Sequence, residues 1–440
     1  SIETNAYGDI IKKLDTKPPI PGNDIYLSLD YGLQKLTSDL LNGKRGAAVA
    51  IDPSTGEILA FVSNPSFDPN PFITGISSRE YKALQQDPDM PLYNRALQGQ
   101  YPPGSSIKPI EGLAGIHYGI MGWDSSIYDP GYFSLPGDSH KFRDWKKSGH
   151  GNVNLHKSVV ESVDTYYYKL SYQLGIDRLH DWMTRFNFGS KTGIDLPGEK
   201  TGVYPSTDWK MKTYKKAWLP GETISVSIGQ GYFLATPLQI ANGIAMLAGD
   251  GQHLTPHLLK KSTGAEHVTP IEKPDGKIQY NGNPNDWQRM HLAMEDVVKK
   301  GTAHNIYTPT YRIAGKTGTA QVKSIAQGKR YNEAALDSRH WDHGWFVGFA
   351  PVENPQIAIA VIVENGRHGG WVAPIVRKMM DYWLIDKIKK PIVPPSPEEL
   401  VKINAEKQAA KLQREALVLS GKPIIAKPNT AKLTAVGDAD

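Results

Sequence analysis

Tyr101-Pro102-Pro103-Gly104-Ser105-Ser106-Ile107-Lys108-Pro109 is the stretch on which the reading of this 440-residue chain turns. Two prolines fix φ and a glycine permits a sharp entry, so Ser105 is delivered at the start of a helix that continues through Ile110, Leu113, Ile116 and His117. Pro109 is tolerated there because first-turn amides have no acceptor within the helix. Positions three apart share a helix face, and Ser105 and Lys108 are therefore expected to touch. A serine hydroxyl becomes a nucleophile when a neighbouring base takes its proton, and a lysine is such a base once its ammonium pKa is lowered. The positive end of the helix dipole, burial and any second cation all push in that direction. Chance alone supplies Ser-x-x-Lys about two times in a chain this long at ordinary residue usage, so the spacing by itself is not yet chemistry.

Composition bounds what surrounds this stretch. The length allows two or three domains, or one large domain with insertions. Apolar residues make up 39% and aromatics 9%, the values of a globular chain with a polar part rather than of a disordered one. Fifty basic against 45 acidic residues leave a net charge of +5, which suits an anionic setting such as nucleic acid, a membrane surface or a cell-wall polymer. No basic cluster interleaved with aromatics is present, and no nucleic-acid partner is expected. The absence of cysteine excludes disulfides and thiolate metal sites. No stretch reaches eighteen apolar residues, and the first residues show neither a charged start nor an apolar run, so these residues are expected to hold no signal peptide or membrane span.

In chain order, residues 1–42 read as the end of an upstream domain, with a Pro-rich linker at 17–22, a strand near 25–29 and a helix to Leu41. Residues 46–63 form a β-hairpin around Asp52-Pro53-Ser54-Thr55-Gly56, with strands expected to be central and buried. Pro-rich loops lead to the Ser105 helix, and 123–150 is irregular. A single helix is expected from Asn154 through Ser162-Val163-Asp164-Thr165-Tyr166-Tyr167-Tyr168, followed by another over 176–186. Thr236-Pro237 caps an apolar helix, and residues 286–300 carry helical spacing. Strands over 311–322, 344–349 and 357–363 then return to the sheet begun by the hairpin. The fold class expected is therefore α/β: about five antiparallel strands covered by helices, residues 43–388, with a mainly helical insertion over roughly 65–310. Trp371–Leu384 closes it as a helix. Residues 389–440 form a polar tail opening on a Ser396-Pro397-Glu398-Glu399 capping box, helical to about Leu417 and disordered over its last twenty residues.

Two further motifs matter. Lys316-Thr317-Gly318-Thr319 lies in the first late strand, where glycine permits close approach of another backbone and the lysine can attract a carboxylate. A second Lys-Thr-Gly at 191–193 lacks strand flanks and is set aside. Ser162-x-Asp164 is matched at Ser28, Ser66 and Ser206, but only Ser162 starts a helix after the Ser105 helix.

Taken together and in this order, Y-P-P-G-S-S-I-K-P, S-V-D-T-Y-Y-Y and A-G-K-T-G-T-A-Q-V resemble the penicillin-recognising serine enzymes. The resemblance covers residues 20–388. D-P-S-T-G-E-I-L-A, G-I-D-L-P-G-E and S-I-G-Q-G-Y-F-L-A-T-P-L-Q are similar to class B penicillin-binding proteins, and the Asp in the middle motif to their elongation-type group, penicillin-binding protein 2. The resemblance implies a penicillin-binding-protein/serine β-lactamase-like transpeptidase fold and an enzyme that cross-links peptidoglycan stem peptides. Ser105 would attack the carbonyl between two terminal D-alanines, Lys108 would take its proton, and Ser162 would pass a proton to the leaving D-alanine. Lys316 would act with them, while Asp164, Thr317, Gly318 and Thr319 would bind substrate and the amides of Ser105 and Thr319 would form an oxyanion hole. No cofactor serves the chemistry.

The resemblance also implies partners: donor and acceptor stems, β-lactams, a membrane glycan polymerase and elongation scaffold proteins, on the periplasmic face of a bacterial inner membrane, with an anchor upstream. Relatives can carry a cysteine where this chain has Val163. Such a thiolate with Asp129, Asp144 and His150 would make a tetrahedral zinc site; without it, zinc binding is expected to be weakened or absent, and the plainer reading is a loop of ordinary polar residues. A serine β-lactamase and a non-enzymatic β-lactam sensor are the rival readings.

Overall fold

The computed structural model describes residues 22–263, 276–322 and 337–389, with short stretches before residue 14 and between 394 and 409. Residues 17–21 of the Pro-rich linker and the last twenty residues lie outside the described residues. The chain divides into two compact units, 1–391 and 392–440.

The first unit is built on five antiparallel strands: β1 (Gly46–Ile51), β2 (Ile58–Asn64), β3 (Ala314–Ala320), β4 (His343–Ala350) and β5 (Ile357–Val363), in the order β3-β4-β5-β1-β2. In β1 and β5 every residue is buried, which is why both read as continuous apolar runs rather than as an alternation. The helices that cover the sheet and carry the site are α1 (Tyr31–Leu41), α2 (Lys108–His117), α3 (Asp164–Leu174), α4 (Pro237–Ala248), α5 (Asn285–Lys299) and α6 (Gly369–Asp381). α4 packs on β5 and β1, α5 on β3, and α6 on β4 and β5. The α4 cap is reciprocal: Thr236 Oγ1 accepts from the Gln239 amide, and Gln239 Oε1 accepts from the Thr236 amide.

The hairpin turn forms as its residues dictate. The Asp52 carboxylate accepts from the Ser54 amide at 2.8 Å and hydroxyl at 2.7 Å. Gly56 supplies a φ of +81° there.

Two expectations are corrected. Only β1 is central, since β2 is the sheet edge. The open backbone of that edge is covered by α1, whose Gln34 amide group donates to Phe61 O at 2.9 Å and accepts from Phe61 N at 2.7 Å. The helix expected from Asn154 through Tyr168 is two helices, Leu155–Val160 and α3. Between them Ser162 adopts φ +57°, and the Val163 amide closes the turn onto Ser158 O at 3.0 Å. Buried lysines that hold both Ser162 oxygens, described below, fix this break, and no helical periodicity reports such contacts.

The irregular 123–150 region contains two small ribbons, Ser126–Asp129 with Gly151–Asn154 and Tyr132–Phe133 with Phe142–Arg143. In the second unit the Ser396 amide donates to the Glu399 carboxylate at 2.7 Å and the Glu399 amide to Ser396 Oγ at 3.2 Å, the expected capping box. Among the described residues no helix is long and apolar enough to cross a membrane.

Candidate active site

Ser105 lies in a single 3₁₀ turn, Gly104–Ile107, that leads into α2. The turn is held from three sides. Gly104, at φ +57°, donates its amide to Gly229 O at 2.9 Å, Trp345 of β4 donates its indole N–H to Pro102 O at 3.0 Å, and Ser106 Oγ donates to Pro103 O at 2.9 Å. β3 lies against the same turn at backbone distance. A Cβ on Gly104 would stand 2.4 Å from Thr319 O, and one on Gly318 would stand 2.9 Å from Pro103 O and 3.1 Å from Ser106 N. Only glycine permits that approach, so the K-T-G-T strand and the serine turn are positioned by each other.

Lys108, in the first turn of α2, and Lys316, in mid-β3, are both fully buried. They converge on Ser162. Lys316 Nζ donates to Ser162 Oγ at 2.7 Å and to Thr317 O at 3.2 Å. Lys108 Nζ donates to Ser162 O at 2.9 Å and to Asp164 Oδ1 at 2.6 Å, stands 3.4 Å from Ser162 Oγ, and lies 5.2 Å from the centre of the Tyr167 ring. The expected contact of Lys108 with Ser105 is not made: among the described residues the Ser105 hydroxyl has no hydrogen-bond partner. The φ of +57° at Ser162 turns its carbonyl and hydroxyl toward the two ammonium groups. Burial first, and then the like charge of Lys108, hold the Lys316 ammonium well below the usual lysine range, against the opposing pull of Asp164.

Ser105, Ser162, Asp164, Thr317 and Thr319 line one cleft of about 360 Å³. The sequence reading missed several of its walls: Trp145, Gln230, Thr302, Asp342 and His368. Gln230 donates to Thr319 O at 3.2 Å; its flanking glycines, both at positive φ, were the available signal for a tight turn there. Thr302 shares a 2.7 Å hydrogen bond with Thr317. Trp145 comes from the irregular segment and donates to Glu161 O at 3.1 Å. Glu111, one turn after Lys108, was also missed. It is fully buried, and burial pushes its carboxyl well above the usual carboxylate range despite the pull of Lys108. The Lys191-Thr192-Gly193 copy stands elsewhere, in a loop where the Glu199 carboxylate accepts from the Thr192 amide at 2.7 Å.

Asp129, Asp144 and His150 are buried together, with donor atoms within 4.8 Å of one another. His150 Nδ1 is 2.8 Å from Asp129 and 3.5 Å from Asp144, while its Nε2 is buried without a hydrogen-bond partner. Burial, then the charge of Asp164, raises the Asp144 carboxyl above its ordinary value. Asp144 accepts the Thr165 amide at 3.1 Å, which ties the cluster to the start of α3. Val163 is fully buried and its side chain offers no donor atom, so among the described residues the set holds three ligands of the kind zinc takes, with the Glu161 carboxylate 3.9 Å from His150 Nε2.

The penicillin-binding protein transpeptidase domain matches residues 46–381. The chain belongs to this family. Among family members, the peptidoglycan D,D-transpeptidase MrdA of Acinetobacter baumannii is 60% identical over 394 residues, covering 90% of this chain and 59% of that protein. MrdA of Escherichia coli is 43% identical over 391 residues, covering 87% and 61%. The chain therefore spans about three fifths of the length of these curated relatives. The crystal structure of Pseudomonas aeruginosa PBP2 in complex with WCK 5153 is similar at 48% identity and a TM-score of 0.77, covering 84% of this chain and 80% of that one. Helicobacter pylori PBP2 in its complex with MreC is similar at 34% identity and a TM-score of 0.72, covering 88% and 69%. For a penicillin-binding protein transpeptidase domain, the observed five-stranded sheet with the K-T-G-T strand at its edge, against the serine turn, is the expected architecture.

Proposed function

We propose that this chain is a serine D,D-transpeptidase domain that cross-links peptidoglycan stem peptides through an acyl-enzyme on Ser105. The observation that carries the reading is the convergence of Lys108 and Lys316 on Ser162 at the floor of the cleft that Ser105 lines. Ser105 Oγ attacks the carbonyl between the terminal D-alanines. Lys108, on the adjoining turn, takes the hydroxyl proton. Ser162 relays a proton to the leaving D-alanine, and Lys316, an amine held below its ordinary range, can both accept from Ser162 and donate back to it. Asp164 holds Lys108 in place. Thr317 and Thr319 hold the substrate carboxylate, and the amides of Ser105 and Thr319 receive the oxyanion. An amine of a second stem releases the acyl group, and water in its place gives a carboxypeptidase side reaction.

A β-lactamase needs a carboxylate free to activate water. Of the carboxylates on the cleft wall, Asp164 is paired with Lys108 at 2.6 Å and Asp342 accepts the Val322 amide at 3.2 Å; the transpeptidase reading is favoured. The test supplies donor pentapeptide and an acceptor stem and follows D-alanine release and cross-linked product. Both are expected from the unsubstituted chain, neither from Ser105→Ala, and a rate lowered by about 10²–10⁴ from Ser162→Ala. Cross-linking by Ser105→Ala would refute the reading.

We place the domain on the periplasmic face of the inner membrane behind an upstream anchor, working with a membrane glycan polymerase and elongation scaffold proteins. The complex that the H. pylori relative forms with MreC supports a protein partner for this chain. Asp129, Asp144 and His150 are proposed to hold zinc weakly, bracing the loop before α3; three buried side chains with donor atoms within 4.8 Å of one another support this reading. Val163→Cys is expected to tighten zinc binding at least tenfold by equilibrium dialysis, and an unchanged affinity would contradict the site.

A further inference from the structure

One large apolar side chain in the catalytic cleft has no part in the chemistry described above. Trp145 lines the cleft together with Ser105, Ser162 and Asp164, and it is 60% exposed. A single exposed aromatic ring on a protein surface needs no account. This one opens into the cleft and is held still. Its indole N–H donates to Glu161 O at 3.1 Å, the carbonyl just before Ser162. Its ring meets that of His150 edge-on, with centres 5.3 Å apart and planes at 63°. The backbone beside it is fastened as well. The Asp144 amide donates to Gly131 O at 2.9 Å, and the Asp144 carboxylate accepts from the Lys146 and Thr165 amides, each at 3.1 Å. The indole is therefore tied both to the break that presents Ser162 and to the start of α3.

The lining of the cleft is otherwise polar. Among the described residues Trp145 and Ile228 are its large apolar side chains, and the rest are hydroxyl, amide, carboxylate or imidazole groups and glycines. In the reaction proposed above, the leaving D-alanine carries a carboxylate that Thr317 and Thr319 take. The acyl half of the donor carries instead the methyl and methylene groups of the residues next to the attacked carbonyl. Such groups lose contact with water on meeting an indole face, which is the favourable exchange that a tryptophan with its N–H already satisfied offers. Because the ring is anchored before substrate arrives, little side-chain freedom is lost on contact, and the buried area goes into binding rather than into ordering.

We propose, resting on the transpeptidase reading, that Trp145 is a specificity-determining residue that contacts the acyl half of the donor. Its open indole face packs on the aliphatic groups next to the attacked carbonyl. In a penicillin it packs on the acylamino side chain, which stands on the same side of the attacked bond. The contact favours substrates that bear apolar surface there and adds nothing for those that lack it.

The test measures second-order acylation rates with two penicillins on the unsubstituted chain, Trp145→Ala and Trp145→Phe. Benzylpenicillin carries a phenylacetyl group, and 6-aminopenicillanic acid is the same nucleus without it. Trp145→Ala is expected to slow acylation by benzylpenicillin at least tenfold and to leave acylation by 6-aminopenicillanic acid within twofold of the parent, which also shows that the variant is folded. Trp145→Phe, which keeps a ring face, is expected to recover at least threefold of that loss. An equal slowing with both penicillins would mean that Trp145 only supports the loop, and that result, or unchanged rates with both, would overturn the proposal. Failure of the unsubstituted chain to acylate with either penicillin would instead remove the transpeptidase reading on which it rests.

Discussion

At the scale of single residues, Lys316 has the most to explain, because a fully buried ammonium beside a second lysine is costly to keep. Unfolded, its amine titrates in the ordinary lysine range; folded, burial and then Lys108 hold it well below. Between those two pH values the unfolded chain binds a proton that the folded chain does not. Stability therefore rises with pH across this window, and the cost vanishes above about pH 10.4. Lys316→Met is expected to melt above the parent at pH 7, with the gap closing as pH approaches 10, while penicillin acylation falls by at least about 10². Thermal midpoints across that range check it, and a gap that does not narrow would mean that the amine is not depressed. Function and stability oppose each other at this residue. Little of this was legible in the sequence. The residue types were, because a motif needs only identity and spacing. The partners were not: Lys108 was expected on Ser105 and is found on Ser162 and Asp164, since a contact across 54 positions leaves no periodic trace.

At the scale of elements, the contact of β3 with the serine turn sets the geometry. Gly318→Ala would drive a methyl group to 2.9 Å from Pro103 O and 3.0 Å from Trp345 Cβ. The account expects a loss of about 1–3 kcal/mol in stability and a fall in acylation rate of at least tenfold, as the strand moves off the turn. Thr236→Ala is the contrasting case. It removes the α4 capping box, with an expected cost of about 1 kcal/mol, yet it should leave acylation unchanged because α4 packs on β5 and β1. Urea midpoints and acylation rates measured on both variants separate the two effects. Elements of this kind were largely readable. The apolar runs of β1 and β5, the Asp52 turn and the Thr236-Pro237 cap each carry a local cause. The break at Ser162 has none, because tertiary contacts to buried lysines hold it, and the edge position of β2 depends on strands more than 250 residues away.

At the scale of the whole first unit, Arg95 joins what the sequence separates. It is fully buried, its Nε donates to Glu364 at 2.7 Å, and its other nitrogens donate to Asp89 O and Met90 O at 2.7 and 3.2 Å. Tyr101, at the head of the serine motif, donates its hydroxyl to the same Glu364 at 2.7 Å. One carboxylate after β5 thus anchors both the approach to Ser105 and the loop before it. Glu364→Ala is expected to cost about 3–5 kcal/mol, because it strands a buried guanidinium, and to lower the denaturant midpoint without removing any group from the catalytic cleft. Neither residue drew notice in the sequence, where a lone Arg and a lone Glu 269 positions apart look like any surface charges.

The measurement that tests the central claim most directly is intact-mass analysis of the chain and of Ser105→Ala after incubation with benzylpenicillin, followed over hours. The account predicts one covalent adduct on the parent that persists for hours, and none on Ser105→Ala. An adduct that forms equally on Ser105→Ala, or one shed within seconds, would contradict it.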